Sequence, residues 1–204
     1  MFHSLSGQGL TLIRGDRCLF QDLGFCIASG ELLTIEGANG IGKTSLLRAI
    51  AGLTDLEQGQ VRWDNADVKR NRQAFHANLV WMGHRPGFKG DLTLIENLRF
   101  EAGLRAMTMS TAEHRLVRLG VASVSDLPFR ALSAGQQRRV ALARMILADA
   151  PLWLMDEPFT NLDADGQDLV IELLREHLGD GGLCVMATHR RFELDAAVQR
   201  VTLG

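Results

Sequence analysis

The chain has few cysteines and no long apolar run, and each absence excludes a class of protein. Its 204 residues include three cysteines, Cys18, Cys26 and Cys184, which form no C-x-x-C pair. A sparse, odd count indicates reduced thiols in the cytoplasm rather than a disulfide framework. No uninterrupted apolar run of about 18 residues occurs, and the opening MFHSLSGQG lacks the pattern of a signal peptide. We therefore expect a chain that does not cross a membrane by itself.

The chain also lacks an excess of charge of either sign. Its formal net charge is −2, from 22 Lys and Arg against 24 Asp and Glu. Without a basic footprint, nucleic acid is not expected to be its main partner. A hydrophobic fraction of 46% and a charged fraction of 23% are typical of a globular domain. The length allows one domain with an inserted subdomain.

What the chain does contain is the glycine-rich stretch GANGIGKT, Gly37 to Thr44. Glycines at this spacing let successive N–H groups turn inwards around an anion, and a following helix adds the positive end of its dipole. Lys43 would reach the terminal phosphates, and the Thr44 hydroxyl suits Mg²⁺. The predicted phosphate-binding residues are Gly37, Ala38, Asn39, Gly40, Ile41, Gly42, Lys43, Thr44 and Ser45. An ordinary glycine-rich turn is the alternative.

The flanking residues favour the phosphate loop over that turn. GELLTIEG, before it, has the short apolar run of a buried strand. SLLRAIAGL, after it, has apolar residues at helical spacing and places Gly52 as a helix C-cap. A strand, a glycine-rich loop and a helix in this order form the context that a phosphate loop requires.

The rest of the chain alternates between predicted strands and helices. Two antiparallel strands, LTLIRG and CLFQDLGFCIASG, precede the loop. Later elements are a strand in GQVRWD, a short helix in RNRQAFHANL, strands in VWM, PLWLMDE and LCVMATH, and a helix over 165–178. Residues 88–127 are helical in character, with a capping box predicted at Ser110 to Glu113. This alternation predicts an α/β fold with a parallel sheet.

A second signal is PLWLMDEP, four apolar residues followed by two carboxylates. Ligands of open parallel sheets bind beyond the carboxyl ends of the strands. Asp156 is therefore placed to order Mg²⁺, directly or through water, and Glu157 to deprotonate an attacking water. The alternative is a strand that simply ends in solvated acids before a proline.

A third signal is LSAGQ, Leu132 to Gln136, directly before a long helical pattern. Ser133 would cap that helix, and Gly135 would allow close approach of another backbone. The capped end forms a second candidate anion site. On its own, LSAGQ is equally compatible with a well-capped helix that has no ligand.

Together these motifs resemble the ATP-binding cassette (ABC) ATPases over nearly the whole chain. GANGIGKT is similar to the Walker A loop, LSAGQ to the ABC signature, LWLMDE to Walker B, TNLD at 160–163 to the D-loop, and ATH to the switch histidine. The resemblance implies a P-loop ABC-type nucleotide-binding domain over 1–204. It would have an antiparallel β subdomain and a helical subdomain inserted at about 88–130 in a RecA-like core. It also implies a head-to-tail homodimer with two ATP molecules between the subunits.

The resemblance also implies a role for each matching residue. Lys43 and the loop amides would bind the β- and γ-phosphates of ATP, while Thr44 and Asp156 would hold Mg²⁺. Glu157 would be the catalytic base, and His189 the sensor of the γ-phosphate. The residues expected to act on the partner subunit's ATP, or to couple the two sites, are Ser133, Gly135, Gln136 and Asp163.

Three positions depart from the family pattern. His84 stands where a glutamine normally faces Mg²⁺ and water; a neutral imidazole could fill that role, with a pH dependence, or the residue could be a surface histidine. The chain has no tyrosine, so Arg14 is the candidate to stack on adenine, unless it is only solvated. Ala134 replaces the first signature glycine and is expected to preserve the loop.

Among ABC ATPases, GHRPG, LSAGQQRRVALARM and DEPFTNLD most resemble the ATPase subunits of haem exporters that serve cytochrome c maturation. This implies a translocase at the cytoplasmic face of a bacterial inner membrane, with permease partners and haem reached only through the complex. GFKGDLTLIENL is the candidate coupling surface. The main rival is transport of another cargo. A soluble ABC ATPase acting on nucleic acid or ribosomes is less consistent with one cassette, and a P-loop GTPase would need an N-K-x-D motif that is absent.

Overall fold

The computed structural model describes residues 2–105 and 112–204, which form two sheets and six helices. The strands are β1 Ser4–Arg14, β2 Arg17–Ala28, β3 Glu31–Glu36, β4 Gln58–Trp63, β5 Ala66–Asp67, β6 Leu79–Met82, β7 Leu152–Asp156, β8 Leu183–Ala187 and β9 Ala197–Thr202. The helices are α1 Lys43–Ile50, α2 Arg72–Ala77, α3 Leu94–Arg105, α4 Ala112–Arg118, α5 Ala134–Ala148 and α6 Ala164–Gly179. Short 3₁₀ turns lie at Ala122–Val124 and Phe129–Ala131.

The larger sheet is parallel, with strand order β6-β7-β8-β3-β9. Its central strands are buried along their whole length, because both faces of the sheet are covered. The smaller sheet is antiparallel, with order β2-β1-β4-β5. The predicted α/β class with an antiparallel β subdomain is thus confirmed.

Alternate side chains of the central strands enter two separate hydrophobic cores. In β7, Trp153 and Met155 pack with α5 and α6, whereas Leu152 and Leu154 pack with α1 and the antiparallel sheet. The period of two in a strand makes this division. Burying one such leucine stabilises the fold by about 1.5–3 kcal/mol relative to exposure. Both cores therefore hold the carboxyl ends of the strands in fixed register.

Helix α1 ends as the sequence predicts. Gly52 has φ of 68° and follows the C-cap residue Ala51. The Gly52 N–H donates to the Ala49 carbonyl at 3.0 Å, and the Leu53 N–H donates to the Arg48 carbonyl at 2.8 Å. These two bonds form a Schellman motif, which satisfies the last carbonyls of the helix.

The helices between β6 and β7 share the core of the parallel sheet. Leu94 and Leu98 of α3 and Leu116 of α4 are buried in the same cluster as Met155 of β7. The proposed division at about 88–130 remains a prediction. Ser110, the first residue of the predicted capping box, lies outside the described residues.

The edge strand β9 was not predicted. It pairs in parallel with β3, from Glu31 opposite Ala197 to Glu36 opposite Thr202. In the two described ranges, no helix combines the length and apolar character needed to span a bilayer.

Candidate nucleotide-binding site

The phosphate loop joins the carboxyl end of β3 to the first turn of α1. Gly42 is the N-cap residue of α1 and has φ of 127°, a conformation that L side chains rarely adopt. A Cβ atom there would lie 3.3 Å from the Leu19 Cβ. No side chain caps α1. Its first N–H groups therefore face the loop and are available to an anion.

Lys43 is folded back across its own loop. Its Nζ donates to the carbonyl of Gly37 at 2.8 Å and to that of Ala38 at 3.4 Å. The same ammonium lies 3.6 Å from Oε1 of Glu157. The side chain is only 7% exposed, so its charge is held beside the loop rather than in solvent.

Thr44 and Asp156 form a direct pair of oxygen donors. The Thr44 hydroxyl donates to Oδ2 of Asp156 at 2.8 Å. Burial raises the pKa of the Asp156 carboxyl above its usual range; the Thr44 hydrogen bond opposes this, and the Glu157 charge adds to it. A hydroxyl beside a carboxylate is the kind of oxygen ligand set that Mg²⁺ uses together with phosphates and water. The two residues thus fit a magnesium ion.

Glu157 occupies a left-handed backbone conformation, with φ of 49°, at the end of β7. Its Oε2 lies 2.9 Å from Nδ1 of His189, and an ionised carboxylate would accept a hydrogen bond from a protonated Nδ1. Its Oε1 is buried and has no hydrogen-bond partner among the described residues. A buried, unsatisfied carboxylate oxygen is costly unless a ligand or water completes it.

These residues line one cleft of about 500 Å³ at the carboxyl edge of the sheet. Its lining consists of Asn39, Gly40, Gly42, Lys43, Thr44, Ser45, His84, Asp156, Glu157, Thr160 and His189. Ten of these eleven were predicted as site residues from the sequence; Thr160 was not, although it begins the TNLD motif. Gly37, Ala38 and Ile41 belong to the loop but do not line the cleft.

A second cleft of about 540 Å³ is lined by Arg190, Arg191, Arg200 and Glu36, among others. It is slightly larger but contains no residue of the phosphate loop. The nucleotide is better assigned to the cleft that combines loop amides, a lysine and two carboxylates.

The three residues that depart from the family pattern differ in their position relative to the cleft. His84 is exposed but lines the cleft, and when protonated it would act to lower the pKa of Asp156. Arg14 is exposed at the end of β1, opposite Arg17 in the hairpin, and does not line the cleft. Ala134 is the first residue of α5.

The LSAGQ segment lies outside the cleft in a single chain. Ser133 caps α5 in a complete capping box, in which its hydroxyl accepts from the Gln136 N–H at 3.2 Å and its own N–H donates to the Gln136 side chain at 2.9 Å. The predicted cap is thus confirmed. A Cβ atom on Gly135 would lie 3.1 Å from the Asn161 carbonyl oxygen. Gly135 is therefore already in close contact with the TNLD segment of its own chain.

Asp163 also lies outside the cleft and caps α6. Its Oδ1 accepts from the Gly166 N–H at 2.9 Å and from Nη2 of Arg139 at 3.0 Å. These two contacts hold the pKa of the Asp163 carboxyl below its usual range. A role in coupling two subunits remains a prediction.

The fold and the cleft define a P-loop ATPase whose candidate nucleotide site lies beyond the carboxyl ends of parallel strands. A family model described as ABC transporter matches residues 20–160. A solved structure of the ATP-binding subunit of an ABC transporter superposes with a TM-score of 0.82 at 23% identity, covering 91% of this chain and 79% of the other. That likeness concerns the fold alone.

Sequence comparison is more specific. The cytochrome c biogenesis ATP-binding export protein CcmA of Yersinia pestis is 46% identical over 91% of this chain and 86% of its own length. The protein of the same description from Methylococcus capsulatus is 46% identical over 98% of both chains. The chain therefore belongs to the ABC transporter ATP-binding family and, within it, to the CcmA group.

Proposed function

We propose that this chain is the ATP-hydrolysing subunit of an ABC exporter for cytochrome c biogenesis, and that the cargo moved by its membrane partners is haem. The observation that carries the proposal is the Glu157–His189 pair beside the phosphate loop. Similarity to the CcmA relatives supports the assignment to cytochrome c biogenesis.

The phosphates of ATP would bind first through the loop. The uncapped N–H groups at the start of α1 and the dipole of this helix favour a negative group. Lys43 would exchange its contacts with the Gly37 and Ala38 carbonyls for the β- and γ-phosphates. Because the lysine is already buried beside the loop, little conformational entropy is lost when it turns to the ligand.

Mg²⁺ would be held by Thr44 and Asp156, and it would supply charge neutralisation for the phosphates. Burial of the Asp156 carboxyl raises its pKa, and the Thr44 hydrogen bond and the charges of His84 and Arg138 act in the opposite direction. A bound cation would favour its ionised form. The chain's own part is to keep these two oxygens in register through the Thr44 hydrogen bond.

Glu157 would act as general base. Its Oε1, which accepts no hydrogen bond from the described residues, would accept the proton of a water whose oxygen attacks the γ-phosphorus, while the bond to the β–γ bridging oxygen breaks and ADP leaves. His189 fixes the other carboxylate oxygen at 2.9 Å and would contact the γ-phosphate. His84, at the rim of the cleft, would orient the water or the Mg²⁺ as a neutral imidazole.

A second copy of the chain would complete the site. The start of α5, with Ser133, Gly135 and Gln136, would approach the γ-phosphate bound to the other subunit, and Asp163 would link the two sites. Permease subunits would hold this homodimer at the cytoplasmic face of the bacterial inner membrane, with the 87–98 segment as the docking surface. Nucleic acid has no part in this scheme.

The direct test is ATP turnover by the complex purified with its membrane partners. Glu157→Gln should bind ATP but lose hydrolysis by at least about 10³-fold, because the base is removed while the phosphate contacts remain. Glu57→Gln makes the same change on an exposed residue and should turn over normally. Undiminished hydrolysis in Glu157→Gln would remove Glu157 from its assigned role.

The cargo requires a separate test. Native membranes are solubilised around the tagged chain, and the copurified subunits and any haem absorbance are recorded before and after ATP turnover. Bound haem that leaves the complex only with hydrolysis supports haem export. A permease that never carries haem would favour another cargo, and copurified ribosomes would favour a soluble ABC ATPase.

A further inference from the structure

Arg138 of α5 is a buried charged residue that belongs neither to the phosphate loop nor to the carboxylate pair of the cleft. It lies five residues after Ser133 and is 4% exposed. Its guanidinium donates to backbone carbonyls: Nη1 to Gly83 at 2.9 Å, Nη2 to Asp156 at 2.8 Å, and Nε to Pro158 at 3.2 Å. Nη2 also donates to the carbonyl of Glu157.

Three of the four acceptors are consecutive residues, 156–158. Consecutive carbonyls of a strand point in opposite directions, so their convergence on one group requires a turn. The left-handed conformation of Glu157, φ 49°, makes that turn at the residue whose side chain faces the cleft. The planar fork of an arginine matches several acceptors at fixed angles, which an ammonium cannot do.

The fourth acceptor belongs to another strand. Gly83 follows β6 and immediately precedes His84, which lines the cleft. One guanidinium therefore joins the end of β7, the segment after β6, and helix α5, which Ser133 caps.

Arg138 keeps its positive charge although it is buried. Burial lowers the pKa of the guanidinium to about 10, while the charges of Asp156 and Glu157 act in the opposite direction. The side chain therefore remains a cation at neutral pH and keeps all its donors.

We propose that Arg138 is a positioning residue for hydrolysis: it fixes the backbone of Glu157 so that the carboxylate faces the γ-phosphate, and it ties this geometry to helix α5. The inference rests on the proposed role of Glu157 as base. Because α5 begins at the segment expected to meet the partner's ATP, the same contacts would transmit movement of α5 to the base.

The test is steady-state hydrolysis by the purified complex carrying Arg138→Gln or Arg138→Lys. Since a small displacement of a catalytic group costs up to about 100-fold in rate, we expect kcat to fall roughly 10- to 100-fold while KM for MgATP changes less than about twofold. Lysine keeps the charge but not the fork, so it should rescue only part of the loss. A kcat within about twofold of the unchanged chain in Arg138→Gln would overturn the inference.

A matched control separates positioning from folding. Arg144 lies on the same helix and is similarly buried at 8% exposure. It donates to the Trp81 carbonyl at 2.7 Å and lies 3.8 Å from Oε1 of Glu101. Arg144→Lys should lower Tm as much as Arg138→Lys but keep kcat. An equal loss of kcat in both variants would mean that any buried arginine of α5 matters, and would overturn the specific role of Arg138.

A double-mutant cycle provides a readout that a merely structural role would not give. If Arg138 acts through Glu157, adding Arg138→Gln to Glu157→Gln should cause little further loss of the residual single-turnover rate. Multiplicative losses would overturn the inference. A fully active Glu157→Gln chain would overturn the proposed function, and this inference with it. A fully active Arg138→Gln chain beside an inactive Glu157→Gln chain would overturn this inference alone.

Discussion

The two ends of the parallel sheet differ in whether their polar side chains are charged or neutral. At the carboxyl end, Lys43, Asp156 and Arg138 are buried as ionisable groups, and Glu157 keeps a buried oxygen without a hydrogen-bond partner in the described part of the chain. Buried charges destabilise a fold unless they are compensated. This end therefore sacrifices stability for a site that a charged ligand completes.

At the amino end, a half-buried polar side chain, His177, is instead neutral. His177 stacks on Trp153 with ring centroids 4.0 Å apart, and its Nε2 lies 3.0 Å from the Leu183 carbonyl. Burial lowers the pKa of His177 to about 4, so the ring is uncharged at neutral pH. The same strands thus carry chemistry at one end and stability at the other. Substitutions at the two ends should separate these properties.

The largest effect is expected at the carboxyl end. Lys43→Ala should reduce ATP hydrolysis by at least about 10³-fold, because the phosphate charge loses its main counter-ion. Thermal unfolding without nucleotide should shift by less than about 4 °C. Lys69→Ala removes a half-exposed lysine that pairs with Asp55 at 3.0 Å, and should hydrolyse ATP normally. Retained hydrolysis in Lys43→Ala would contradict the assignment of ATP hydrolysis to the carboxyl end of the sheet.

The amino end should dominate the acid dependence of stability. The pKa of His177 falls from its ordinary 6.5 to about 4 on folding, so between these values the unfolded chain binds the extra proton. Its contribution is therefore fully present above about pH 6.5 and is lost towards pH 4, by up to about 3 kcal/mol.

Denaturant titrations over this pH range test the assignment. His177→Phe keeps a ring against Trp153 but cannot titrate. Its free energy of unfolding should therefore be lower at pH 7.5 and should fall less steeply as the pH is lowered. His114→Phe, at an exposed histidine, should keep the slope of the unchanged chain. If His177→Phe also kept that slope, the acid sensitivity would belong elsewhere.

Ser133→Ala should have a smaller effect, in the range of about 1 kcal/mol of unfolding free energy, because the α5 cap is lost. Ser133→Thr keeps the hydroxyl and should restore most of this. The measurement is Tm without nucleotide, which isolates the cap from any contact with ATP. A larger loss in Ser133→Thr than in Ser133→Ala would contradict the capping role.

The smallest effect is expected at Asp163. Its lowered pKa arises from the Gly166 N–H first and then from Arg139, so its contribution is present above the ordinary carboxyl pKa and is lost as pH falls through the lower folded value. Asp163→Asn keeps an N-cap acceptor and should change Tm at pH 7 by no more than about 2 °C. Its acid-side decline should become shallower, and an unchanged decline would contradict this account.

Local backbone requirements explain which parts of the molecule could be predicted. The phosphate loop and the α5 cap are short-range features, in which residue type alone determines the conformation, as Gly42 and Ser133 show. Strand β9 could not be predicted in the same way, because it is an edge strand with exposed residues and a weak apolar pattern. Its place depends on pairing with β3, far away in sequence.

The site shows the same limit. Asp156 and Glu157 could be placed because strand ends meet ligands in parallel sheets. The role of Arg138 could not be predicted, because a helical pattern does not indicate that an arginine is buried and donates hydrogen bonds to other segments. Thr160 escaped prediction because only the three-dimensional turn after β7 brings it to the cleft.

We propose above all that nucleotide binds at the carboxyl end of the sheet, between two copies of the chain. The most direct measurement is the mass of the Glu157→Gln chain in solution, by light scattering, with and without MgATP. We predict one chain mass without nucleotide and twice that mass with MgATP, with no doubling when Lys43→Ala is added. A single chain mass at saturating MgATP, with ATP demonstrably bound, would contradict the account.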